Sequence, residues 1–177
     1  MILREAALSG VFVVEAEAAD DERGSFVRLF DRQEFLAHGL AAHVDHVAVS
    51  SNRVKGTLRG LHYQAEPHGQ AKLIRCSAGA IYDVLVDVRA GSPTYLRCLS
   101  FELRAADRIS LYVPAGFAHG FETLEDVSDV HYQISSARRT DAERGLRWDD
   151  PALGIPWPFP PVVMSERDRS WPLLPSP

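Results

Sequence analysis

The chain alternates apolar and polar residues with a period of two along much of its length. Such alternation predicts β-strands, because successive side chains of a strand point to opposite faces. Turn-forming glycines such as Gly24, Gly79 and Gly116 separate the alternating stretches. Many short strands at regular spacing predict a mainly β fold, either a sandwich or a jelly roll. The predicted strands cover residues 11–14, 27–30, 73–76, 81–88, 99–103 and 109–113.

One stretch has the pattern of a short helix. Asp31 is a suitable N-cap for residues 32–38, and Glu34 stands where the acidic partner of a capping box belongs. Gly39 follows the last helical position and is expected to end the helix. We therefore expect only a few short helices beside the strands.

The C-terminal part is rich in proline. Eight of the 11 prolines fall within residues 151–177, so this stretch cannot form central strands. A disordered tail is one interpretation. Trp157, Phe159, Val162, Val163 and Trp171 favour the other, in which the segment wraps a barrel, because disordered tails are poor in large apolar groups. We predict a single domain over residues 1–177.

Composition and charge exclude several classes of function. The 177 residues are 46% hydrophobic and contain no apolar run long enough to cross a membrane. No secretory signal is visible, so a cytoplasmic location is expected. The net charge of −5 argues against a nucleic-acid-binding protein. Buried free thiols are the favoured interpretation of Cys76 and Cys98, with a disulfide as the alternative.

Proton-transfer chemistry is concentrated around two histidines. His62 follows Gly56 by six residues, and His119 ends a P-x-G-x-x-H sequence that begins at Pro114. Both patterns resemble the two motifs of the cupin superfamily, which predicts a cupin-type jelly-roll barrel. Gly60 leaves room for a close approach beside His62.

The expected metal ligands are altered. Gln64 replaces the second histidine of the first cupin motif, and Lys72 replaces its acidic ligand. Transition metals prefer neutral imidazoles and carboxylates, so this site loses two ligands and gains a cation. We predict a metal-free barrel without a cofactor.

Seven stretches together resemble the dTDP-4-dehydrorhamnose 3,5-epimerase family, in its order and spacing, from about residue 8 to residue 174. They are DERG (21–24), RGLHYQ (59–64), KLIR (72–75), DVLVDVRAGSPT (83–94), PAGFAHGF (114–121), ERGLRWDDP (143–151) and SERD (165–168).

The resemblance implies an epimerase acting on a nucleotide-linked 4-keto-6-deoxyhexose in deoxysugar biosynthesis. It implies that His62 is the base and that Asp168 orients it. It implies Tyr132 as the general acid and Lys72 as the cation that stabilises the enolate oxygen. The implied substrate-binding residues are Arg23, Phe26, Arg28, Arg59, Gln64, His119, Arg138, Glu143 and Arg167; of these, Arg23 and Arg59 match diphosphate ligands.

The resemblance also implies a homodimer. In the family, an N-terminal segment like the one ending at Phe30, which here carries Arg23 and Arg28, crosses to the partner's sheet, and the partner's arginine completes the site. Strand addition of this kind covers an exposed sheet edge. The expected partners are thus a sugar nucleotide and a second copy of the chain.

Some positions depart from the family's pattern. Arg28 replaces a glutamate, Val47 and Val49 replace amide side chains, and Arg138 replaces a tyrosine. A buried sugar hydroxyl facing valine would lack a partner, at a cost of roughly 1–3 kcal/mol. Two alternatives remain open: a narrower epimerase, acting at carbon 3 alone or on another sugar nucleotide, and a catalytically silent cupin that binds sugar nucleotides.

The altered ligand positions generate the first testable prediction. Because Gln64 and Lys72 cannot serve as the missing ligands, exhaustive dialysis against a chelator should leave epimerase activity unchanged. Elemental analysis of the active protein should find no stoichiometric transition metal. Zinc or iron bound at His62 and His119 would contradict this prediction.

Overall fold

The computed structural model describes residues 1–175, which form thirteen strands and two α-helices. The strands are β1 (Ile2–Glu5), β2 (Phe12–Glu15), β3 (Ala18–Asp21), β4 (Gly24–Val27), β5 (His46–Asn52), β6 (Leu58–Gln64), β7 (Lys72–Ala78), β8 (Ala80–Asp87), β9 (Cys98–Arg104), β10 (Ile109–Val113), β11 (Phe117–Thr123), β12 (Ser128–Ile134) and β13 (Glu143–Gly145). The helices are α1 (Arg32–Ala37) and α2 (Glu166–Arg169), and a 3₁₀ turn spans Ala105–Asp107.

Two antiparallel sheets pack face to face. The six-stranded sheet has the order β1-β2-β10-β7-β12-β5, and the five-stranded sheet has the order β13-β6-β11-β8-β9. Their inner faces share one apolar core, with Ile74 and Leu111 from the first sheet against Leu85 and Phe121 from the second. This arrangement confirms the predicted mainly β, cupin-type jelly roll with few short helices.

The helix prediction is confirmed, and one strand prediction is wrong. The Asp31 carboxylate accepts the backbone N–H groups of Gln33 and Glu34 at 2.9 and 3.3 Å, and Gly39 follows the helix with φ of +71°. The strand expected over residues 27–30 does not form, because β4 already ends at Val27. Phe30 instead packs on Phe35, with ring centroids 4.8 Å apart, as a hydrophobic staple across the N-cap.

The proline-rich segment docks on the outer face of the five-stranded sheet. Ile155, Trp157 and Leu174 pack with Val84 and Val86, so β8 is buried on both faces. Further along, Val163 pairs with Thr57, and Ser165 then caps α2. These contacts lie within residues 151–175; the last two residues of the predicted wrap lie outside the described part of the chain.

Both cysteines carry free thiols, with Cys76 buried and Cys98 half-buried. No helix within residues 1–175 has the length and apolar character needed to span a membrane.

Glu122 is an unusual charged residue beneath the proline-rich segment. It lies on β11 and is fully buried; its Oε2 accepts the Phe159 N–H at 3.4 Å, and its Oε1 has no partner among the described residues. Burial raises the pKa of this carboxyl, and the Phe159 bond opposes the shift only partly.

A raised pKa in the folded state means that folding favours protonated Glu122. The contribution of this group to stability is therefore largest at low pH and is lost as pH rises from the unfolded-state pKa through the folded one. Glu122→Gln should raise the melting temperature at pH 8, and the gain should shrink towards pH 5. The exposed Glu125→Gln is the control. A lower melting temperature for Glu122→Gln at pH 8 would show that the ionised carboxylate stabilises the fold.

Candidate active site

Two adjoining pockets open between the sheets. The first, of about 500 Å³, is lined by Lys72, Gln70 and Arg138 among others; the second, of about 530 Å³, is lined by Arg59 and Asp168 among others. We call them the first and second lobes. Their shared wall consists of Ser50, His62, His119, Tyr132 and Arg167. Four of the residues implied by the resemblance, His62, His119, Tyr132 and Arg167, thus stand where the lobes meet.

His62 is held by a buried carboxylate. Its Nε2 lies 2.6 Å from Asp168 Oδ1, and Asp168 Oδ2 accepts the Gly60 N–H at 3.2 Å. Burial opposes ionisation of Asp168, but the bonds from His62 and Gly60 outweigh it, and the pKa of Asp168 is lowered. The carboxylate therefore stays ionised and fixes an imidazole that remains 40% exposed towards the cavity.

Gly60 serves the packing of strands rather than the approach of a ligand. A Cβ at this position would lie 2.4 Å from the Gly120 Cα, and the φ angle is +134°. The space expected beside His62 is thus occupied by the backbone of β11. This contact brings β6 and β11 together and places His62 directly opposite His119 in register.

His119 forms a second, fully buried pair. Its Nε2 lies 2.7 Å from Asp83 Oδ1, while Asp83 Oδ2 has no hydrogen-bond partner within residues 1–175. Burial lowers the pKa of Lys72 to about 8, and the Asp83 charge opposes that decrease. Lys72 lines the first lobe, and its ammonium loses its proton at a lower pH than an ordinary lysine does.

Tyr132 stands on the opposite sheet from His62. Its ring packs edge-on against His119, with centroids 5.8 Å apart, and it lines both lobes. Burial raises the pKa of the phenol, Asp83 raises it further, and Arg59 offsets only part of the increase. Tyr132 thus keeps its proton throughout the physiological pH range.

The side-chain amide of Gln64 is bonded within the protein and is not placed as a metal ligand would be. Its amide nitrogen donates to the carbonyl oxygens of His68 and Ala137, and its oxygen accepts the Arg139 N–H at 2.5 Å. The side chain anchors the loop that follows β12. No group of three His, Cys, Asp or Glu side chains in the described part of the chain could hold a metal ion.

Charged residues form the rim of the cavity. Glu143 accepts hydrogen bonds from Arg138 on one oxygen and from Arg167 on the other, the latter at 2.8 Å. The bond from Arg138 lowers the pKa of Glu143, burial opposes this shift, and Arg167 lowers the pKa further. In the second lobe, Arg59 donates to Asn52 Oδ1 at 2.7 Å.

Three predicted binding residues lie outside this cavity. Arg23, Phe26 and Arg28 belong to or follow the hairpin β3–β4, which forms its own two-stranded sheet. Arg23 pairs with Asp21, Arg28 pairs with Asp31, and Phe26 is 73% exposed. Within one chain, the structure does not bring them to His62.

Strand β5 corrects another expectation. Val47 and Val49 are each 56% exposed and point away from the cavity, so they cannot face a sugar bound within this chain. The residues that do face it are His46, Ala48 and Ser50, which motif comparison missed. The period-two alternation of β5 would have revealed them, had this strand been recognised.

The fold and site together define a cupin-type jelly-roll protein whose cavity is equipped for proton transfer. A sequence profile described as dTDP-4-dehydrorhamnose 3,5-epimerase matches residues 5–176. The chain belongs to the dTDP-4-dehydrorhamnose 3,5-epimerase family, and it is an isomerase.

Individual relatives match this chain over nearly its full length. The dTDP-4-dehydrorhamnose 3,5-epimerase of Sinorhizobium fredii is 41% identical, covering 98% of this chain and 90% of the relative. The crystal structure of the Bacillus anthracis dTDP-4-dehydrorhamnose 3,5-epimerase with TDP and PPi bound is 36% identical, with a TM-score of 0.94 over 98% and 99% of the two chains. ChmJ, a 3′-monoepimerase from Streptomyces bikiniensis in complex with dTDP-quinovose, is 34% identical, with a TM-score of 0.88 over 96% and 86%.

The close approach at Gly60 gives a testable prediction. Gly60→Ala combines a strained φ with a clash against backbone and should destabilise the protein by about 2–5 kcal/mol. Gly91 is the matched control, because its φ is +78° but a Cβ there meets nothing within 4 Å. Gly91→Ala should cost only about 1–2 kcal/mol. Equal losses in denaturant unfolding would show that the approach to Gly120 does not matter.

Proposed function

We propose that this protein inverts carbon 3, carbon 5 or both in a dTDP-linked 4-keto-6-deoxyhexose. The observation that carries the proposal is the convergence of His62, Tyr132 and Lys72 on one cavity, with Asp168 bonded to His62. The relatives' names supply the substrate class. Carbon–hydrogen bonds next to a ketone are acidic because the carbanion delocalises into an enolate, and this cavity has groups for each part of that chemistry.

His62 is the base in this mechanism. Asp168 accepts a hydrogen bond from the Nε2–H group of His62, so the unprotonated Nδ1 is left to take a proton from carbon. As the imidazolium forms, the ionised Asp168 stabilises its charge, as in other carboxylate–histidine pairs. The half-exposed position of His62 allows the imidazole to touch a sugar.

Lys72 stabilises the enolate oxygen. A cation beside the ketone stabilises the developing negative charge more strongly inside a cavity than in water, because the surroundings screen the interaction less. Asp83 helps to keep Lys72 charged against the effect of burial. The sugar ring accordingly lies in the first lobe, which Lys72 lines.

Tyr132 is the acid that returns a proton to the other face of the sugar. It lies on β12 of the six-stranded sheet, whereas His62 lies on β6 of the five-stranded sheet, so the two groups approach the cavity from opposite walls. Its raised pKa keeps the phenol protonated until a carbanion forms beside it.

The remaining binding residues hold the rest of the substrate. Arg59 lies in the second lobe, where its forked donors suit the diphosphate. His119 contacts the sugar, and Gln64 acts through the loop that it anchors. Arg138, Glu143 and Arg167 contact the substrate at the rim.

Deuterium exchange tests these assignments. His62→Ala should abolish both turnover and deuterium incorporation from heavy water, because it removes the base. Tyr132→Phe should slow product formation more than exchange, because His62 can still remove and return protons on its own face. General acid–base groups contribute roughly 10²–10⁴-fold, which sets the expected loss. NMR at carbons 3 and 5 gives both rates; wild-type exchange in His62→Ala would refute the base assignment.

We also propose a homodimer in which the β3–β4 hairpin completes the partner's site. The exposure of Phe26 and the distance of Arg23 and Arg28 from the cavity of their own chain support this arrangement. Symmetric dimers are the commonest soluble oligomers, and a twofold axis would give each site one hairpin. Arg23 then adds a second guanidinium for the diphosphate.

Mixed dimers test the exchange of hairpins. Arg23→Ala and His62→Ala should each be nearly inactive, but a dimer with one copy of each should regain activity. Such a dimer contains one site with both His62 and the partner's Arg23. Tandem affinity tags isolate it, and Arg139→Ala paired with His62→Ala is the control for subunit mixing. Failure of the mixed dimer to exceed its inactive parents, or full wild-type activity in a monomer by light scattering, would contradict the proposal.

A narrower reaction is the second candidate, and one relative favours it. ChmJ is a 3′-monoepimerase with the same fold, so this architecture also supports inversion of one centre. The presence of His62, Lys72, Tyr132 and Asp168 around one cavity speaks against a silent binding protein.

We place the enzyme in the cytoplasm, where the free thiols of Cys76 and Cys98 fit a reducing compartment.

A further inference from the structure

His46 is a polar residue of the first lobe that the mechanism above does not use. It opens β5, lines the cavity, and has a side chain that is 37% exposed. Its Nδ1 lies 3.0 Å from Asp45 Oδ2, and the Asp45 N–H donates to Ile134 at 2.8 Å. Because a carboxylate only accepts, Nδ1 carries the proton in this pair, and Nε2 is left for the cavity.

The register of β5 and β12 places His46 beside Tyr132. Tyr132 stands directly opposite Ala48, and His46 stands opposite Ile134. His46 and Tyr132 are therefore diagonal neighbours on the cavity face, a relation in which Cα atoms are about 7–8 Å apart and long side chains meet. Ala48, which adjoins both residues on this face, has only a methyl side chain.

Inversion of two centres in one binding event poses a problem for Tyr132. Each inversion removes one proton from a carbon and returns one to the same carbon from the opposite side. Once Tyr132 has supplied the first proton it is a phenolate, and it must be reprotonated before it can serve again. During this time the sugar fills the first lobe, so from that side bulk water reaches the phenolate only past the rim.

We propose that His46, held by Asp45, is the proton relay that reloads Tyr132 between the two inversions; this rests on the proposed function. Nε2 takes a proton from water at the rim and passes it to the phenolate oxygen, directly or through one water. The imidazole ends the cycle as it began, and no proton is gained or lost overall. His62 lines both lobes, and it releases its extracted protons to water in the second lobe, which the sugar does not fill.

The surroundings of His46 suit this task. Lys72 lies two strands away in the same cross-strand row, beyond Ile134, and Asp45 supplies the balancing negative charge on the other side. The other charged groups of the first lobe are Arg138, Arg144, Arg167 and Glu143, at the rim. His46 is thus a titratable side chain next to Tyr132 that also reaches solvent.

The relay predicts a split between the two inversions. In His46→Ala and His46→Gln, the rate of the first inversion should stay within about threefold of wild type, because Tyr132 starts each cycle protonated. The second inversion should slow, so the ratio of singly to doubly inverted sugar should rise about tenfold or more, a smaller effect than direct loss of an acid or base. NMR of early product mixtures measures both quantities.

Controls separate a relay from a structural role. Added imidazole should restore the product ratio in His46→Ala, and His38→Ala, on the exposed face after α1, should leave the ratio unchanged. A wild-type ratio in His46→Gln would overturn the relay, because glutamine carries no mobile proton. Equal slowing of both inversions, or a wild-type enzyme that inverts only one carbon, would also overturn it. Failure of the proposed function is read separately, from deuterium exchange in His62→Ala.

Discussion

The structure of the site depends on the hydrogen bond between His62 and Asp168, which are 106 residues apart in the sequence. Asp168 lies on a four-residue helix that is too short to be stable alone. The docked proline-rich segment holds that helix against β6, and Ser165 caps it. The same carboxylate accepts the Gly60 N–H, so it fixes both the imidazole and the backbone beside it. Loosening of the C-terminal segment would therefore directly affect the position of His62, the proposed base.

The second buried carboxylate, Asp83, acts on the site through its charge. It opposes the loss of a proton from Lys72 and from Tyr132 alike. Burial alone would favour the neutral forms of both, which suits the phenol but not the ammonium. With Asp83 nearby, Tyr132 stays protonated, and Lys72 keeps its charge to higher pH than burial would allow. One carboxylate bonded to His119 thus helps to set the starting state of two other groups.

Sequence patterns predicted most of this arrangement where residues act within their own strand. The alternation along β8, the cap at Asp31 and the spacing of His62 and His119 were sufficient for the fold and for the centre of the cavity. Two kinds of feature escaped them. Contacts between distant segments, such as Gly60 against Gly120, have no local signal. The orientation of the β5 side chains was missed because the motif comparison pointed to Val47 and Val49. The pleat of the strand instead directs the side chains between and beside them into the cavity.

The proposed proton-transfer groups and two of the proposed substrate-binding residues lie in different parts of the fold. His62, His119 and Tyr132 lie on central strands, paired on both sides, where a shift of one residue would turn their side chains away from the cavity. Arg28 and Arg138 lie outside strands, after the β3–β4 hairpin and after β12 respectively, and each is about two-thirds exposed. Substitution at such positions is far less constrained by packing. The chain can therefore depart from its family at Arg28 and Arg138 while keeping the groups proposed to move protons, because the strands that carry those groups do not include Arg28 or Arg138.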